Sequence, residues 1–218
     1  IGDELRFANC FEDLSKKLKT PCFIETDSRL IPLFSRSFPR LNFIEKLERK
    51  VDGHVIVNYT KTVEKLNAAA HCPLGDLPLH FRQSINHFNL NPAYIVPDEN
   101  ERAHWKKIFE QIRSELKIGF CWQTALPSKT YDNYFPDLNE LGPIFSLKNA
   151  TFINLQYTDC EQQLQAAEDD FNVNIFRPPN IDLFNELDRV AALISECDID
   201  IGPMTAEITM AGAVGTKS

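Results

Sequence analysis

The stretch Cys197-Asp-Ile-Asp-Ile-Gly-Pro-Met-Thr-Ala-Glu-Ile-Thr-Met-Ala-Gly-Ala-Val-Gly215 decides the fold. Its first apolar residues predict a short, buried parallel strand, which Gly202-Pro203 ends. Thr205 is a candidate N-cap for a helix of small residues that begins at Ala206. A strand, a tight turn and the free N–H groups of a helix N-terminus are typical of a phosphate-binding βα unit. The pattern fits an ordinary βα unit equally well, so the rest of the chain has to decide.

The composition is that of a globular protein with a core of normal size. The chain has 218 residues, of which 43% are hydrophobic and 25% are charged, enough for one large or two small domains. Its net charge of −8 argues against a nucleic-acid-binding surface. No apolar run is long enough to span a membrane, and no signal-peptide pattern opens the chain. We therefore expect a cytoplasmic protein that binds no nucleic acid.

Cysteine and histidine spacing predicts no metal site. The chain has six cysteines and five histidines. The cysteines form no C-x-x-C pair, and no histidine lies at ligand spacing from one of them. We expect reduced thiols, as is usual in a cytoplasmic protein.

Helical and strand patterns alternate along the chain, which predicts an α/β fold with parallel sheets and crossover helices. In the first half, a helix over residues 3–17 leads into this alternation, and His54–Val57 is a further candidate strand. The clearest helix begins after Asp98, and residues 117–122 form the buried strand that follows it. Turn residues around positions 91–98 mark a joint, so we predict two domains, 1–96 and 97–218.

Both ends of the chain interrupt this alternation. The sequence enters a helix directly after Ile1, without the strand that a Rossmann-like domain places first. It stops after the helix that ends near Gly215, where a parallel sheet needs another strand. We expect a piece of a longer protein, with further residues before Ile1 and after Ser218.

Several stretches match, in chain order, phrases of one known family: Gly2-Asp-Glu-Leu-Arg-Phe-Ala8, Asp27-Ser-Arg-Leu-Ile-Pro-Leu-Phe-Ser-Arg-Ser-Phe-Pro39, Pro73-Leu-Gly-Asp-Leu-Pro78, Ile118-Gly-Phe-Cys-Trp122, Asn154-Leu-Gln156 and the stretch quoted first. The chain resembles the glycosyltransferases of the two-Rossmann-domain (GT-B) fold that are related to the bacterial heptosyltransferases. The resemblance is greatest to the branch that is fused behind tetratricopeptide repeats, and it covers most of the chain.

The resemblance implies a hexosyl- or heptosyltransferase that acts in surface polysaccharide or protein glycosylation. The first domain holds the acceptor, which is a glycan, a lipid-linked molecule or a protein. The second domain holds the nucleotide-diphosphate sugar, and the chemistry takes place in a cleft between them without a metal or another cofactor. Helix N-termini can stabilise the diphosphate leaving group without a cation. An upstream repeat domain is a further implied partner.

The resemblance also implies site residues. Asp3 matches the carboxylate that serves as the base in related enzymes; capping of the first helix is the alternative role. Glu4, the next residue, is the second candidate for the catalytic base. The donor-binding residues implied are Gln123, Thr124, Lys129, Gln156, Thr205 and Ala206. For Lys129 a solvated surface position is the alternative, and for Gln156 a contact within a turn.

The last motif departs from that of the heptosyltransferases. They carry Asp-Thr and then a His four residues after the Thr, whereas this chain has Met204, Thr205 and Thr209. Either the transferred sugar differs or the domain binds a ligand without turnover. Two other functions therefore stay open: a non-catalytic sugar-nucleotide-binding or scaffold module, and a nucleotide-sugar epimerase, which shares the two-domain fold.

Overall fold

The structure, a computed structural model, describes residues 1–52, 54–57, 59–88, 93–124 and 134–218. The chain divides into two compact units, one of Ile1 with residues 3–90 and one of Gly2 with residues 91–218. Each unit has its own strands and its own buried apolar residues. The domain boundary between residues 96 and 97, and the function assigned to each domain, stay predictions.

The first unit alternates short helices with two pairs of strands. Its elements are α1 (Gly2–Phe7), α2 (Phe11–Lys17), β1 (Phe23–Thr26), α3 (Ile31–Ser37), β2 (Asn42–Glu45), β3 (Glu48–Val51), β4 (His54–Val57), α4 (Thr60–Leu66) and α5 (Leu77–Phe81). Short 3-10 turns lead into α2, α3 and α5. β1 and β2 pair in parallel, with Phe23 opposite Asn42, and the chain crosses from one to the other through α3. The helix expected over residues 3–17 is thus two helices with a 3-10 turn between them.

The strand expected at His54–Val57 is present, but it does not extend the parallel pair. It pairs antiparallel with β3, and Glu48 lies opposite Val57. The turn between the two strands includes Asp52 in a left-handed conformation, with φ of 49°. Our expectation of a parallel alternation is therefore wrong at this point. Apolar runs do not indicate β3, because three of its four residues, Glu-Arg-Lys-Val, are charged.

Aromatic side chains form the core of the first unit. The Phe11 ring of α2 lies 5.6 Å from the Phe34 ring of α3, and the two rings meet edge to face. Phe38 lies 5.2 Å from Phe11 in the same kind of contact, and Phe43 of β2 lies 5.5 Å from Phe34. Such contacts stabilise a core beyond the burial of apolar area alone. They hold α2 and α3 against the parallel pair.

The second unit is built on one parallel sheet. Its elements are α6 (Glu99–Phe109), β5 (Leu116–Phe120), α7 (Gly142–Phe145), β6 (Ala150–Asn154), α8 (Glu161–Phe171), β7 (Ile175–Phe176), α9 (Leu187–Ser195), β8 (Ile199–Ile201) and α10 (Ala206–Val214). The strand order is β7-β6-β5-β8, the order of a Rossmann-like fold. Lys217 pairs in parallel with Ile199, which also pairs with Ile118 of β5. The predicted α/β fold with parallel sheets is confirmed.

Side chains of the sheet alternate between two faces. On one face Ile118, Phe120 and Phe152 pack against Phe145 of α7 and Leu164 of α8, and all five are buried. This face buries several large aromatic side chains of the unit and fixes the sheet against α7 and α8.

The other face of the sheet contains a buried carboxyl. Asp200 of β8 lies beside Gly119 of β5 and is only 2% exposed. A Cβ atom added to Gly119 would lie 1.7 Å from Asp200 Oδ1, so the Asp200 side chain fills the space over the glycine. Neither carboxyl oxygen makes a hydrogen bond of good geometry among the described residues, and the Cys197 thiol is the polar group that interacts with this side chain and favours its charged form. Burial raises the pKa of Asp200 to about 7 because the charged form loses its hydration.

Candidate functional site

The carboxyl ends of β5 and β8 meet where the strand order reverses. From β5 the chain proceeds to β6 and β7 on one side of the sheet, whereas β8 pairs with β5 on its other side. In open parallel sheets ligands bind at such a switch point, beyond the carboxyl ends of the strands. Residues 121–124 and 202–205 therefore border the candidate site of this unit.

The N-terminus of α10 lies at this switch point. Thr205 occupies the N-cap position in an extended conformation, but its side chain makes no capping hydrogen bond. Its hydroxyl lies 3.2 Å from the Cys121 thiol instead. Ala206 is the first residue of the helix, as predicted. Because the first N–H groups of a helix have no partner within it, this end of α10 offers hydrogen-bond donors and the positive end of the helix dipole.

Close approach of two loops shapes the entrance to α10. A Cβ atom added to Gly202 would lie 2.7 Å from both the carbonyl oxygen and the thiol sulfur of Cys121. Any side chain at this position would therefore push apart the turns that follow β5 and β8. The Cys121 N–H also donates to the carbonyl of Ile201 at 3.1 Å, which extends the pairing of the two strands beyond β5.

The predicted donor-binding residues Gln123 and Gln156 lie together, and their amides bind protein atoms. Gln156 is 2% exposed, and its Oε1 accepts hydrogen bonds from the N–H groups of Trp122 at 3.2 Å and Gln123 at 3.1 Å. Its Nε2 donates to the Gln123 carbonyl and to the Thr158 hydroxyl, both at 3.1 Å. Gln123 Nε2 donates to the same hydroxyl at 3.0 Å. We call these three side chains the glutamine clamp, because they join the loop after β5 to the loop after β6.

Two other predicted donor-binding residues, Thr124 and Lys129, belong to the loop after β5. Thr124 is partly buried and is the last residue described before the gap at 125–133. Lys129 lies outside the described residues. Their contacts with a donor stay predictions, as do those of Gln123, Gln156, Thr205 and Ala206.

Sequence reasoning missed Glu207, a buried acidic residue in the first turn of α10. It is 6% exposed, and burial raises its pKa, although its own N–H and the Thr205 hydroxyl favour the charged form. Its Oε2 has no hydrogen-bond partner among the described residues. Glu207, Met210 and Ala211 share the buried face of the helix. Their spacing at helical period was visible in the sequence, so it was the signal that could have located this group.

Asp3 and Glu4 of the first unit have different surroundings. The Asp3 side chain is 81% exposed and lies 3.9 Å from Arg6. It is the second residue of α1, which begins at Gly2, so the alternative role as N-cap is wrong. Glu4 is buried, and its Oε1 accepts a hydrogen bond from the Asp27 N–H at 3.0 Å and lies 3.4 Å from Lys46 Nζ. Glu4 thus stabilises the unit, while the role of Asp3 as a base stays a prediction.

The two positions that depart from the heptosyltransferase motif both lie near the N-terminus of α10. Met204 is 78% exposed. The Thr209 hydroxyl donates to the Thr205 carbonyl at 2.8 Å, so its hydrogen is used within the helix. Neither side chain offers the carboxylate or the imidazole of the heptosyltransferase motif at these positions.

Two further observations bear on the type of site. Among the described residues, no cluster of three or more His, Cys, Asp or Glu side chains is placed to hold a metal ion. None of the helices in the described part of the chain is long and apolar enough to cross a membrane.

Known proteins resemble the chain both in sequence and in structure. No protein-family model matches the chain. It is 32% identical over 220 residues to Protein FlbA of Caulobacter vibrioides; the match covers 99% of this chain and 37% of FlbA. The chain thus spans little more than a third of that relative's length.

The structural similarity is to two glycosyltransferases. The crystal structure of the glycosyl transferase family 9 protein from Veillonella parvula matches with a TM-score of 0.68 and 12% identity, covering 99% of this chain and 76% of that one. The structure of the E. coli ADP-heptose LPS heptosyltransferase II matches with a TM-score of 0.56 and 12% identity, covering 99% and 80%. At this identity the similarity concerns the fold, and the chain has the fold of these transferases.

Proposed function

We propose that this chain belongs to a glycosyltransferase that moves a sugar from a nucleotide-diphosphate sugar to a hydroxyl group of an acceptor. The observation that carries the proposal is the N-terminus of α10, which offers uncapped N–H groups at the switch point of a Rossmann-like sheet. The structures with the same fold are transferases, which supports the same assignment.

In the proposed reaction each unit has one role. The N-terminus of α10, at Thr205 and Ala206, binds the diphosphate; in the structure the Thr205 N–H donates to the Pro203 carbonyl at 2.7 Å, so Ala206 offers the first free N–H. Gln123, Thr124 and Lys129 contact the rest of the donor. The glutamine clamp holds the loop after β5 in place. The acceptor hydroxyl gives its proton to the Asp3 carboxylate while its oxygen bonds to the anomeric carbon. The bond from that carbon to the phosphate oxygen breaks, and α10 stabilises the charge of the departing nucleoside diphosphate without a metal ion.

The acceptor and the setting are also part of the proposal. We expect a glycan, a lipid-linked molecule or a protein as acceptor, in the cytoplasm, with an upstream repeat domain in the full-length protein. The E. coli structure is that of an ADP-heptose transferase. The exposed Met204 cannot provide the hydrogen bonds of an Asp at the same place, so we expect a transferred sugar other than heptose.

A second candidate is a module that binds a sugar nucleotide without transferring the sugar. The observation that favours it is the pair Met204 and Thr209, since neither side chain can make a charged contact to the sugar. Loss of such contacts lowers transition-state stabilisation more than it lowers donor binding through the phosphates.

One set of assays separates these functions. The full-length protein is titrated with UDP-, GDP- and ADP-sugars, and each donor that binds is incubated with the protein, with and without a chelator. Binding with slow release of free sugar, unchanged by the chelator, supports the metal-independent transferase. Binding alone supports the module, and sugar of altered stereochemistry supports an epimerase. A protein that binds none of these donors would contradict the proposal.

A further inference from the structure

Tyr157 and Phe184 form an aromatic pair that the proposed reaction does not use. Their ring centroids lie 5.6 Å apart, with an angle of 40° between the ring planes. Tyr157 belongs to the loop after β6 and Phe184 to the loop after β7, so the pair joins two loops at the carboxyl edge of the sheet. Phe184 is 47% exposed. An aromatic ring that is exposed at this edge, where open parallel sheets bind their ligands, can stack on a flat ligand.

A row of contacts joins the aromatic pair to the N-terminus of α10. The Thr205 hydroxyl lies 3.2 Å from the Cys121 thiol, in the loop after β5. In the same loop Gln123 Nε2 donates to the Thr158 hydroxyl at 3.0 Å, and Thr158 is the residue after Tyr157. The pair therefore lies along the same edge as the proposed phosphate site. Because β6 and β8 flank β5 and neighbouring strands lie about 4.8 Å apart, the carboxyl ends of β6 and β8 are roughly 10 Å apart.

Hydrogen bonds to acidic side chains hold the loop that carries Phe184. The Asp182 Oδ1 accepts from the N–H groups of Phe184 and Asn185, both at 2.9 Å. The Glu186 carboxylate in turn accepts from the Asp182 N–H at 2.7 Å and from Arg189 Nη1 at 3.0 Å. Such side-chain contacts to the backbone fix a turn. The Phe184 ring is thus held in place before a ligand arrives, which lowers the entropic cost of binding.

The charges and hydrogen bonds beside the pair favour an uncharged ligand with polar atoms. Asp159 and Asp182 are both exposed, and their carboxylates would repel a phosphate group placed here. The Thr158 hydroxyl accepts from Gln123 Nε2 at 3.0 Å and from Gln156 Nε2 at 3.1 Å. Both of its lone pairs are therefore used, and its hydrogen can be donated. A nucleobase fits these surroundings, because it has a flat aromatic face, polar edge atoms and no charge.

Resting on the donor site proposed above, we propose that the Tyr157–Phe184 pair binds the nucleobase of the donor by stacking on the exposed Phe184 ring, while the phosphates lie at α10. A nucleoside diphosphate carries its base one ribose away from its phosphates, a separation of the same order as the two strand spacings between β6 and β8. Stacking uses the π-face that every base has. The pair therefore provides affinity for a nucleotide, whereas the choice among bases depends on contacts to the base edge.

The test compares nucleoside diphosphates with pyrophosphate, which lacks the base. Calorimetric titration of the full-length protein with ADP, GDP, UDP and pyrophosphate identifies the nucleoside diphosphate that binds most tightly. Phe184→Ala removes the exposed ring of the pair. Phe88→Ala is the matched control, because Phe88 is also a half-exposed phenylalanine, 51% exposed, and belongs to the first unit.

We expect Phe184→Ala to bind that nucleoside diphosphate on the order of tenfold more weakly than the parent, and pyrophosphate equally well, because only the stacking contact is lost. Phe88→Ala should bind both ligands as the parent does. Phe184→Trp gives a positive signal. It keeps a stacking ring, so the nucleoside diphosphate should quench the fluorescence that the new indole adds, whereas pyrophosphate should not. This signal decides the inference even where pyrophosphate binds too weakly for calorimetry.

Parental affinity of Phe184→Ala for the nucleoside diphosphate, or fluorescence of Phe184→Trp that the nucleotide leaves unchanged, would overturn this inference and leave the proposed function in place. Equal losses of affinity for the nucleoside diphosphate and for pyrophosphate would also overturn it, since the ring would then act through the fold. A loss seen only with the sugar-bearing donor would place the sugar on the pair instead of the base. Absence of binding of all of these ligands to the parent would overturn the proposed function, and the inference with it.

Discussion

At the scale of single residues, burial separates acidic side chains that the sequence presents as equivalent. Asp3 and Glu4 are neighbours, yet Asp3 is exposed and Glu4 is buried, with Asp27 and Lys46 as partners. Only an accessible carboxylate can take a proton from an acceptor hydroxyl. Among these two residues the structure therefore favours Asp3 as the candidate base and assigns Glu4 to the stability of the first unit.

Replacing Asp3 by Asn tests its role as the base. In the full-length protein Asp3→Asn should lower the rate of sugar transfer on the order of a hundredfold, because the proton acceptor is lost. Its melting temperature should not change, since the side chain is exposed. Glu12→Gln is the control, because Glu12 of α2 is also an exposed acidic residue beside a basic one. Transfer at the parental rate by Asp3→Asn would show that the base lies elsewhere.

The buried carboxyl of Asp200 predicts an unusual pH dependence of stability. Burial raises the pKa of Asp200 in the folded state to about 7 from its ordinary value of 3.8, so the folded state holds the proton more tightly than the unfolded state. Stability should therefore fall as the pH rises between these two values and level off above the higher one. Asp200→Asn should remove this dependence and stabilise the protein above neutral pH by roughly 1–4 kcal/mol.

Chemical denaturation at a series of pH values measures this effect. Asp170→Asn, at an exposed position of α8, is the control and should change the free energy of unfolding by no more than about 0.5 kcal/mol. A parental protein whose stability is constant between about pH 4 and pH 7 would contradict the assignment of a neutral Asp200.

At the scale of elements, the proposed donor site of the second unit depends on α10 and the glutamine clamp. The helix provides N–H donors at the switch point, and the clamp fixes the loop that lies beside it. A rigid supporting contact of this kind preorganises a site, even though the clamp amides themselves are used by the protein.

Changes at the start of α10 should weaken nucleotide binding without unfolding the protein. Ala206→Glu places a negative charge at the helix N-terminus, where a phosphate would lie, and should raise the Kd for a nucleoside diphosphate at least about tenfold. Ala206→Gln is the matched control, because it adds nearly the same volume without the charge. Thr205→Pro should also weaken binding, since it removes the hydrogen bond of 2.7 Å from the Thr205 N–H to the Pro203 carbonyl, which holds the turn before α10. Calorimetry with unchanged Kd for Ala206→Glu would exclude α10 from the donor site.

Breaking the glutamine clamp should destabilise the second unit. In Gln156→Leu the N–H groups of Trp122 and Gln123 lose their common acceptor, at a cost of about 1–3 kcal/mol for each buried group left unpaired. Gln156→Glu keeps an acceptor but loses both donated hydrogen bonds, so its loss should be smaller. Urea denaturation measures both variants, with Gln162→Leu at an exposed position of α8 as control. A stable Gln156→Leu would show that the clamp contributes little.

Local sequence patterns predicted the helices and strands of the second unit well. They did not predict contacts between residues that are far apart in the sequence. The cap at Asp98 and the apolar strands that follow are visible in short stretches, and the structure confirms them. The strand Glu48–Val51 was missed because its charges resemble a loop. In the clamp, Gln156 contacts Gln123 and Trp122, which precede it by 33 and 34 positions in the chain. A single sequence does not indicate such a contact.

At the scale of the whole molecule, the two units are expected to contribute different functions. The second unit contains the Rossmann-like strand order and the helix N-terminus that suit a nucleotide. The first unit contains Asp3 and a short parallel pair. This division was predicted from the resemblance, and the activity of the full-length protein stays a proposal because the chain covers 37% of its relative FlbA.

Hydrogen exchange can locate the nucleotide within the molecule. A bound nucleoside diphosphate should slow amide exchange in the peptides that contain residues 119–124 and 202–209, because it accepts hydrogen bonds from these segments and excludes water. Peptides of β3 and β4 in the first unit are the internal control and should exchange at unchanged rates. Protection confined to the first unit would reverse the proposed assignment of the donor.

The Asp200 carboxyl that fills the space over Gly119 also constrains how this protein can evolve. A methyl group at position 119 has no room while residue 200 carries a carboxyl, since its carbon would lie 1.7 Å from Oδ1. A change at residue 200 to a smaller side chain removes this clash and leaves only Leu155 Cδ1, at 2.7 Å, to move aside, whereas the reverse order passes through an intermediate with a severe clash. Homologues that carry a side chain at position 119 should therefore have reached it by way of a smaller residue 200. Positions 119 and 200 are therefore expected to change together in evolution, and the substitution at residue 200 has to come first.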